Sequence, residues 1–418
     1  MDILGKINGK ISLIKVIDFF SGIFLFIYII SLIAFEGNSK TSIYSTFSLY
    51  LFIVFSLLYT VLRKKVIINY YLILKFCFCC LLMFSLFYTP QYYVGYAVCY
   101  KSLTLLVITF CIINYLDRLE KIKYIIYSFV IGGGVLCIHF LNIYGLKIFE
   151  DTINSKYGLR VGGELGNENT IALFCGYSII ISAYILFYKN PKILIKIICL
   201  LSGISCFILS MMTASKKALI LIFFGLGILF ILKRYKKNII MKKILSIIIS
   251  VGLLVFIYQI IKNVDLFWYI NLRIEEFIQT LNSNGGIASE SDQVRLDFIK
   301  SGFNIFLKKP ILGNGVASSY YYFNTYSHNN YIEILMNNGI LGFILYYSTY
   351  IITLLKLTKL KYNYFQFSVL CYIFISSLFI LEFGLVDYYE RYYQIFFAII
   401  SVFITLQFND LKKQGAKK

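Results

Sequence analysis

His328 is one of only two histidines in the chain and stands in the stretch "YSHNNYIEILMNNGILGF", residues 326–343, just ahead of a long apolar run. A histidine with an ordinary pKa near 6.5 is suited to general-base catalysis at neutral pH. Asn330, followed three residues later by Glu333, is typical of a helix N-terminus. The pattern predicts His328 at the rim of a helix, where it either makes a structural hydrogen bond or accepts a proton from a substrate.

Four basic residues elsewhere in the chain have the chemistry to bind an anion. Arg160 lies in a glycine-rich segment, Arg295 begins a predicted amphipathic helix, and the adjacent Lys216 and Lys217 occupy a short polar turn between two apolar runs. An arginine offers a planar fork of donors that suits phosphate oxygens. Each residue could instead be a solvated loop charge, so the sequence alone leaves both interpretations open.

A stretch punctuated by proline and glycine, "KKPILGNGVASS" at residues 308–319, must turn sharply. Backbone amides exposed in such a loop can bind an anion. A plain turn predicts the same composition, and the stretch matches no established phosphate motif. We nevertheless expect Gly313, Gly315, Asn169 and Asn329 to contribute to substrate binding together with Lys216 and Lys217.

Composition indicates what kind of scaffold must position these residues. Hydrophobic residues make up 59% of the 418 residues, charged residues 14%, and the mean hydropathy is +0.78, far above the usage of soluble domains. In lipid, every backbone polar group must be satisfied internally, which favours helices. We therefore predict an all-α integral membrane protein with about twelve transmembrane helices, centred near residues 25, 52, 77, 105, 133, 178, 201, 224, 252, 342, 372 and 398.

The distribution of charge predicts the orientation of these helices. With the N-terminus in the cytoplasm, most of the 40 Lys and Arg residues fall in inner segments and most of the 20 acidic residues in outer ones, as expected for a membrane protein. No basic surplus remains to suggest nucleic-acid binding. Both termini are then cytoplasmic, and His328 and its candidate partners share the outer side.

This topology divides the chain into four parts. Residues 1–261 carry transmembrane helices 1–9, with an outer loop at about 145–167. Residues 262–328 form one long extracytoplasmic loop between helices 9 and 10, residues 329–410 carry helices 10–12, and residues 411–418 are a basic cytoplasmic tail. The long loop contains an amphipathic helix that could lie on the bilayer surface and cover a cavity, and its apolar face is formed by Leu296, Ile299, Phe303 and Phe306.

The remaining polar candidates have simpler explanations. All ten cysteines lie in predicted spans and are interpreted as apolar packing residues. We expect no metal and no other cofactor. His139 is predicted to make a buried structural hydrogen bond, and Lys101 could meet a lipid phosphate if it faces the bundle. A charged turn before the last span is predicted to be solvated, and it contains Glu382, Asp387, Glu390 and Arg391.

Four stretches carry a resemblance to a known group of proteins: "LRVGGELGNENTIAL", "MTASKKALI", "VRLDFIKSGFNIFLKKPILGNGV" and "SHNNYIEILMNNGILGF". They resemble the superfamily of O-antigen ligases, Wzy-type O-antigen and capsular polysaccharide polymerases and O-oligosaccharyltransferases. The stretches cover the central and C-terminal half, whereas the first half is similar only in hydropathy. The resemblance implies a multispan bundle with one long extracytoplasmic loop near the C-terminal third.

The resemblance also implies that Arg160, Arg295 and His328 line a pocket for a polyprenyl-diphosphate-linked glycan. There are departures, because Glu168 stands where many relatives have proline and Lys216 where many have arginine. The chemistry suits the residue types. A diphosphate is a good leaving group that needs mainly cations, while the acceptor hydroxyl needs a base, so we expect a metal-independent, inverting glycosyl transfer.

The expected activity is polymerisation of a surface polysaccharide, such as a capsule or an O-antigen. Undecaprenyl-diphosphate-linked oligosaccharide would be both donor and acceptor, a chain-length regulator and a flippase would be further partners, and the location would be the bacterial cytoplasmic membrane. A ligase or O-oligosaccharyltransferase of the same superfamily fits almost as well. A lipid-linked glycan flippase or transporter is the alternative from another class.

Overall fold

The computed structural model describes residues 2–38, 40–154, 160–232, 252, 255–282, 290–360 and 365–415. Over these residues the protein is helical and contains no strand, so the predicted all-α class is confirmed. The helices are α1 (Asp2–Phe35), α2 (Ser42–Arg63), α3 (Tyr70–Ser85), α4 (Tyr92–Tyr115), α5 (Leu119–Tyr144), α6 (Lys147–Asn154), α7 (Glu168–Tyr188), α8 (Ile193–Met212) and α9 (Lys216–Ile231). They continue with α10 (255–263), α11 (Trp268–Asn282), α12 (Glu290–Lys308), α13 (Ser318–Phe323), α14 (Asn330–Thr358), α15 (Phe365–Leu381) and α16 (Arg391–Gly415).

Within the described residues, nine helices are long and apolar enough to cross a membrane: α1 to α5, α7, α8, α14 and α16. The predicted span near residue 372 corresponds to a shorter apolar stretch, Gln366–Leu381, and the span near 224 to the 16-residue α9. The span predicted near 252 lies largely outside the described residues. A helical membrane protein is therefore confirmed, while the number twelve and the long outer loop stay predictions.

Contacts between helix termini define one end of the bundle, which we call the His328 end. The amide of Asn330 donates to the carbonyl of Glu382 at 2.9 Å, and the amide of Val161 donates to the carbonyl of Met212 at 3.1 Å. These bonds join the start of α14 to the end of α15, and the segment before α7 to the end of α8. The chain positions predicted to face outside therefore meet at one end.

The opposite end is held by ion pairs. Asp117, between α4 and α5, lies 2.7 Å from Arg63 at the end of α2 and 3.0 Å from Lys121 in α5. Its carboxylate also accepts a hydrogen bond from the hydroxyl of Tyr59 at 2.8 Å. The side chain of Lys121 is only 7% exposed, so its charge depends on these partners. The network joins the end of α2 to the turn between α4 and α5, and a further ion pair of Lys121 with Asp18 adds α1.

The amphipathic helix predicted in the long loop is present as α12, and it packs against α14. Phe298 stacks on Phe323 with ring centroids 4.6 Å apart, and Ile305 is buried. Gly302 lies directly against Ile332, where an added Cβ would come within 2.4 Å of the isoleucine side chain. Glycine thus permits the close approach of the two helices.

Only part of the apolar face predicted for this helix packs on the protein. Leu296 is 51% exposed and Phe303 is 46% exposed, whereas Ile299 and Phe306 are half-buried. The sequence pattern located the helix correctly, and the buried Gly302, which lies on the side of Ile299 and Phe306, decides which part of the face approaches α14. The exposed apolar side chains leave this side of α12 available to lipid or substrate.

Helix α14 contains a kink at Gly339, whose φ of 64° and ψ of −164° lie outside the helical region. At the kink the amide of Ile340 donates to the carbonyl of Pro310 at 2.8 Å. An added Cβ at Gly339 would lie 2.3 Å from the carbonyl oxygen of Ile311. The positive φ and the close approach of Ile311 both require glycine here. Gly339 therefore allows the segment between α12 and α13 to pack against α14.

Candidate active site

His328 lies immediately before α14, although the helix begins differently from the predicted pattern. The N-cap is Asn329, whose side-chain oxygen accepts a hydrogen bond from the amide of Ile332 at 3.0 Å. Asn330, predicted as the cap, is already in the helix and holds the segment after α15, because its side-chain oxygen accepts from the amide of Asp387 at 3.2 Å. Asn329 therefore has a structural task, and it also donates to the carbonyl of Phe383 at 3.2 Å.

The backbone around His328 is fixed by a buried carboxylate. Glu333 accepts a hydrogen bond from the amide of Ser327 at 2.8 Å and another from the hydroxyl of Ser319 at 2.6 Å. The hydroxyl of Ser327 donates to the carbonyl of Asn329 at 2.8 Å. His328 itself has a φ of 58°, a left-handed conformation that is uncommon outside glycine and is held by its surroundings.

The imidazole of His328 is half-buried between aromatic rings. Its centroid lies 4.1 Å from that of Tyr326, and 6.4 Å from that of Phe298 in α12 with the two rings nearly parallel. Partial burial, together with the positive charges of Arg295 and Lys217, lowers the pKa of His328 to about 4. The histidine therefore stays neutral at physiological pH, and both cations are close enough to affect it.

Lys217 lies in the first turn of α9 and points toward the segment after α15. Its ammonium group donates to the carbonyl oxygen of Gly384. Ser215 directly precedes Lys216 and Lys217, and its hydroxyl donates a hydrogen bond to the side-chain oxygen of Asn169 at 2.9 Å. Asn169 therefore ties the start of α7 to the turn that carries Lys216 and Lys217.

Arg160 lies at the same end, in the segment before α7. Its Nε donates to the carbonyl of Thr213 at 3.2 Å, and its guanidinium lies 4.0 Å from the carboxylate of Glu168. Burial lowers the pKa of Arg160; Glu168 opposes this effect, whereas the charges of Arg273 and Arg295 add to it. Arg160 is thus within electrostatic range of two further guanidinium groups, those of Arg273 and Arg295.

Arg273, in α11, is a residue that the sequence analysis missed. It is half-buried and adds a fourth cation to Arg160, Lys217 and Arg295. A signal was available, because Arg273 is one of the few arginines on the predicted outer side. These positive charges repel one another and are only partly balanced by carboxylates such as that of Glu168, so the cluster is suited to bind a group with several negative charges.

The glycine-rich segment does not present its amides to an anion. The amide of Gly313 donates to the carbonyl of Lys309 at 3.0 Å, and that of Gly315 to the carbonyl of Asn337 at 2.9 Å. The amide of Asn314 donates to the carbonyl of Met336 at 2.9 Å, and the amide of Val316 donates to the hydroxyl of Ser85 at 3.1 Å. These donors already have partners within the protein, and substrate binding by Gly313 and Gly315 stays a prediction. Their positive φ angles, with the close packing of Gly313 on α14 and of Gly315 on Thr89, are a structural reason for glycine at both positions.

The charged turn before α16 is buried rather than solvated. Glu382 is 0% exposed and accepts hydrogen bonds from the hydroxyls of Tyr346 and Tyr347, each at 2.8 Å, and from Tyr350. Burial raises the pKa of Glu382 to about 8. The expectation of a solvated turn is wrong because the phenols supply the partners that water would have supplied.

Asp387 in the same turn is 1% exposed and accepts a hydrogen bond from Tyr392 at 2.6 Å. Burial raises its pKa to about 6, while the charge of Lys217 lowers it. Asp387 therefore lies near the cation cluster and partly balances it. His139, by contrast, packs edge-on against Phe35 at 5.0 Å, and its Nε2 has no hydrogen-bond partner within the described part of the chain.

Comparison with known proteins assigns a family to part of this region. Residues 198–347 match the family model described as O-Antigen ligase. The matched interval contains Lys217, Arg273, Arg295 and His328, while Arg160 lies before it. No curated protein matches the chain. The family match confirms the resemblance to the O-antigen ligase and polymerase superfamily that the sequence motifs predicted.

Proposed function

Because residues 198–347 match the O-antigen ligase family, we propose that the chain is a glycosyltransferase that polymerises lipid-linked repeat units into a surface polysaccharide. One observation carries the proposal: Arg295 and Lys217 both lie close enough to His328 to lower its pKa. A base and an anion-binding cluster therefore share one end of the helical bundle. This combination is what transfer from a polyprenyl diphosphate requires.

The reaction needs one bond to form and one to break. The acceptor hydroxyl attacks the anomeric carbon of the donor sugar while the bond from that carbon to the diphosphate oxygen breaks. The hydroxyl proton passes to His328, and the released diphosphate keeps the electron pair. Attack from the side opposite the leaving group inverts the anomeric centre, and general-base assistance of this kind contributes roughly 10²- to 10⁴-fold in rate.

The four cations would stabilise the leaving group. Arg160, Arg273 and Arg295 offer charge-assisted hydrogen bonds to phosphate oxygens, and Lys217 adds a further charge. These residues supply the positive charge that the departing diphosphate needs, so the proposed reaction is metal-independent. Lys216 and Asn169, which lie beside Lys217, are kept as proposed binding residues.

The low pKa of His328 has a role in this scheme. In the free protein the imidazole is neutral but weakly basic, because burial and the charges of Arg295 and Lys217 disfavour its protonated form. A bound diphosphate neutralises these charges and raises the pKa of His328. The histidine therefore becomes an effective base when the donor is in place, which limits proton transfer to the loaded site.

The substrates would reach the site from the outer leaflet. Undecaprenyl-diphosphate-linked oligosaccharide is the proposed donor and acceptor, and the His328 end is the proposed outer face of the bacterial cytoplasmic membrane, with both termini inside. The exposed apolar face of α12, with Leu296 and Phe303, suits contact with the polyprenyl chain or the bilayer surface. A flippase would supply the substrate, and a chain-length regulator is a further proposed partner.

A ligase of the same superfamily remains the nearest alternative, since it would use the same donor and the same base. The family description itself supports that alternative. Heavy use of Ile, Lys, Asn and Tyr is typical of an AT-rich genome, and many bacteria with such genomes lack an outer membrane, which favours capsule polymerisation. A flippase or transporter would not need a base beside the cation cluster.

The test supplies the purified protein in detergent with diphosphate-linked repeat units, so that no membrane is available for transport. We expect chain lengthening that is lost in His328→Ala and Arg295→Ala. His139→Ala is the matched control, because it removes the only other histidine of the chain and leaves the cation cluster intact. Transfer to a different acceptor only would indicate a ligase, and facilitated movement in liposomes without turnover would indicate a flippase.

A further inference from the structure

A polar cavity that the proposed reaction does not use lies at the His328 end. It has a volume of about 190 Å³ and is formed between α2, α4 and the segment that leads into α16. Polar groups at the depth of membrane helices are costly and mark functional sites more often than packing does. The cavity is lined by Glu36, Tyr50, Tyr100, Lys101, Glu390 and Arg391.

The segment before α16 joins the cavity to the start of α14. The amide of Glu390, which lines the cavity, donates to the carbonyl of Asp387 at 2.9 Å. The amide of Asp387 donates in turn to the side-chain oxygen of Asn330 at 3.2 Å, two residues after His328. The ring of Tyr326 lies 4.1 Å from that of His328, and the charges of Arg295 and Glu390 both act on Tyr326. The cavity and the proposed base are therefore held at the same end of the bundle by one short segment.

The charges of the cavity are balanced, unlike those of the cation cluster. Arg391 lies 2.8 Å from Glu36, and Lys101 and Glu390 provide a second pair of opposite charges on the same lining. The ammonium of Lys101 also lies 5.5 Å from the ring centroid of Tyr389. A diphosphate would prefer an excess of positive charge, so this cavity is poorly suited to the donor's leaving group.

Balanced donors and acceptors beside aromatic faces suit a neutral ligand with many hydroxyls. Carboxylates accept hydrogen bonds from hydroxyls, and ammonium and guanidinium groups donate to them. Tyr50 and Tyr100 line the cavity from α2 and α4, so their rings can pack against the C–H surface of a sugar. The volume is below the ~300 Å³ of sites for drug-sized ligands, which fits about one sugar residue.

We infer that this cavity binds the terminal sugar of the acceptor glycan and presents its hydroxyl toward His328. The inference rests on the proposed function, because an acceptor exists only if the protein transfers a glycan. It adds a division of labour to that function. The cation cluster holds the charged end of the donor, and the balanced cavity holds the uncharged end of the acceptor.

Two variants on different elements test the inference. Tyr100→Ala removes an aromatic face from α4, and Glu390→Gln removes an acceptor from the segment before α16. The matched control is Tyr96→Ala, which removes an exposed tyrosine one turn earlier on α4 that does not line the cavity. Since the two variants alter separate elements, a folding defect in one leaves the other informative.

The kinetic measurement separates the two substrates. The donor is the lipid-linked repeat unit, and the acceptor is the same oligosaccharide freed from its lipid diphosphate by mild acid. Tyr100→Ala and Glu390→Gln should each raise KM for the acceptor by about 10-fold, the effect of losing one good contact. KM for the donor and kcat should stay within about 2-fold, and Tyr96→Ala should behave as the wild type. An unchanged acceptor KM, or an equal rise in donor KM, overturns the inference.

Direct binding keeps this test independent of turnover. Equilibrium dialysis of the tritiated oligosaccharide against the wild-type protein should show binding that Tyr100→Ala weakens and Tyr96→Ala does not. That result without any transfer activity would reject the proposed function and retain the sugar site. The inference is overturned if the wild-type protein does not bind the oligosaccharide. It is also overturned if the variants bind the oligosaccharide as the wild type does but, in nanodiscs, lose a bound phospholipid, because the cavity would then hold a lipid headgroup.

Discussion

The carboxylate of Glu333 accepts a hydrogen bond from the backbone amide of Ser327 at 2.8 Å, one residue before His328. The same carboxylate is 1% exposed and also accepts from Ser319 and from Asn337 at 3.0 Å. The conformation of His328, with its positive φ, is therefore maintained by a residue that is separated from it by one turn of α14. Glu333 acts as a positioning residue for the proposed base.

Glu333→Gln should reduce kcat strongly without preventing donor binding. The amide group of glutamine would place a donor where the carboxylate accepts, and displacement of a catalytic group by about 1 Å costs on the order of 100-fold. We expect kcat to fall by about that factor, with KM for the donor changed by less than about 3-fold. Glu275→Gln, at an exposed position of α11, is the control. A proportional rise in donor KM would show that Glu333 acts on substrate binding instead.

The pH dependence should report the unusual basicity of His328. The base must be neutral, so kcat/KM of the free enzyme should be level from about pH 5 to 7 and fall only as pH approaches the pKa of about 4. Lys217→Gln removes one positive charge, so the decrease in kcat/KM at acid pH should occur at a higher pH. The decrease in kcat, which is measured with donor bound, should also occur at a higher pH than that in kcat/KM of the free enzyme. If activity instead falls near pH 6.5, the ordinary pKa of histidine, and Lys217→Gln does not change that pH, the proposed role of these charges is contradicted.

Arg295→Gln should weaken donor binding, and the KM for the donor should then change less with salt concentration than it does in the wild type. Losing one hydrogen bond to a charged group costs about 1.5–3 kcal/mol, roughly a 10- to 150-fold rise in KM for the donor. Lys300→Gln provides the control, because Lys300 is an exposed cation on the same helix. Steady-state kinetics at two salt concentrations measure both effects. Equal responses of the two variants would indicate a general effect of surface charge.

The buried carboxyl of Glu382 should make stability depend on pH. Its pKa is raised to about 8 in the folded protein from an ordinary value of 4.5, so the unfolded state binds fewer protons between these values. The stabilisation from protonated Glu382 is complete below about pH 4.5 and is lost as pH rises through about 8. Tm in detergent should therefore fall from pH 6 to pH 9, and Glu382→Gln should make that fall smaller.

The comparison for this measurement is Glu150→Gln, which alters an exposed acid in α6. It should leave the pH dependence of Tm unchanged. Should Glu382→Gln retain the full decrease between pH 6 and pH 9, another group must be responsible for it.

The proposed orientation predicts opposite labelling at the two ends of the bundle. In a protein with its cysteines replaced by serine or alanine, Lys309→Cys should react with a membrane-impermeant maleimide on intact spheroplasts, whereas Lys359→Cys should react only after the membrane is opened. Both lysines are exposed; Lys309 directly follows α12, and Lys359 is the C-cap of α14. Labelling of Lys359→Cys alone would reverse the orientation and place the His328 end in the cytoplasm.

The sequence by itself determined the class of fold and the residue types of the candidate site. A long apolar run can satisfy its backbone in lipid only as a helix, so hydropathy was sufficient to locate the nine long helices. Few polar side chains stand at the ends of apolar runs, and this scarcity was enough to single out Arg160, Lys217, Arg295 and His328. Their closeness in space could only be expected from the common side that the charge pattern assigned to them.

The tertiary structure alone decided how these residues and their neighbours are used. Whether Gly315 offers its amide to a ligand depends on whether a carbonyl of α14 already accepts it, and whether Glu382 is solvated depends on three tyrosines more than 30 residues away. Periodicity likewise marks an apolar face of α12 but not the part of that face that Gly302 allows to approach α14. Hydrogen bonds and close packing are made between distant parts of the chain, and local sequence carries no record of which partner is nearest.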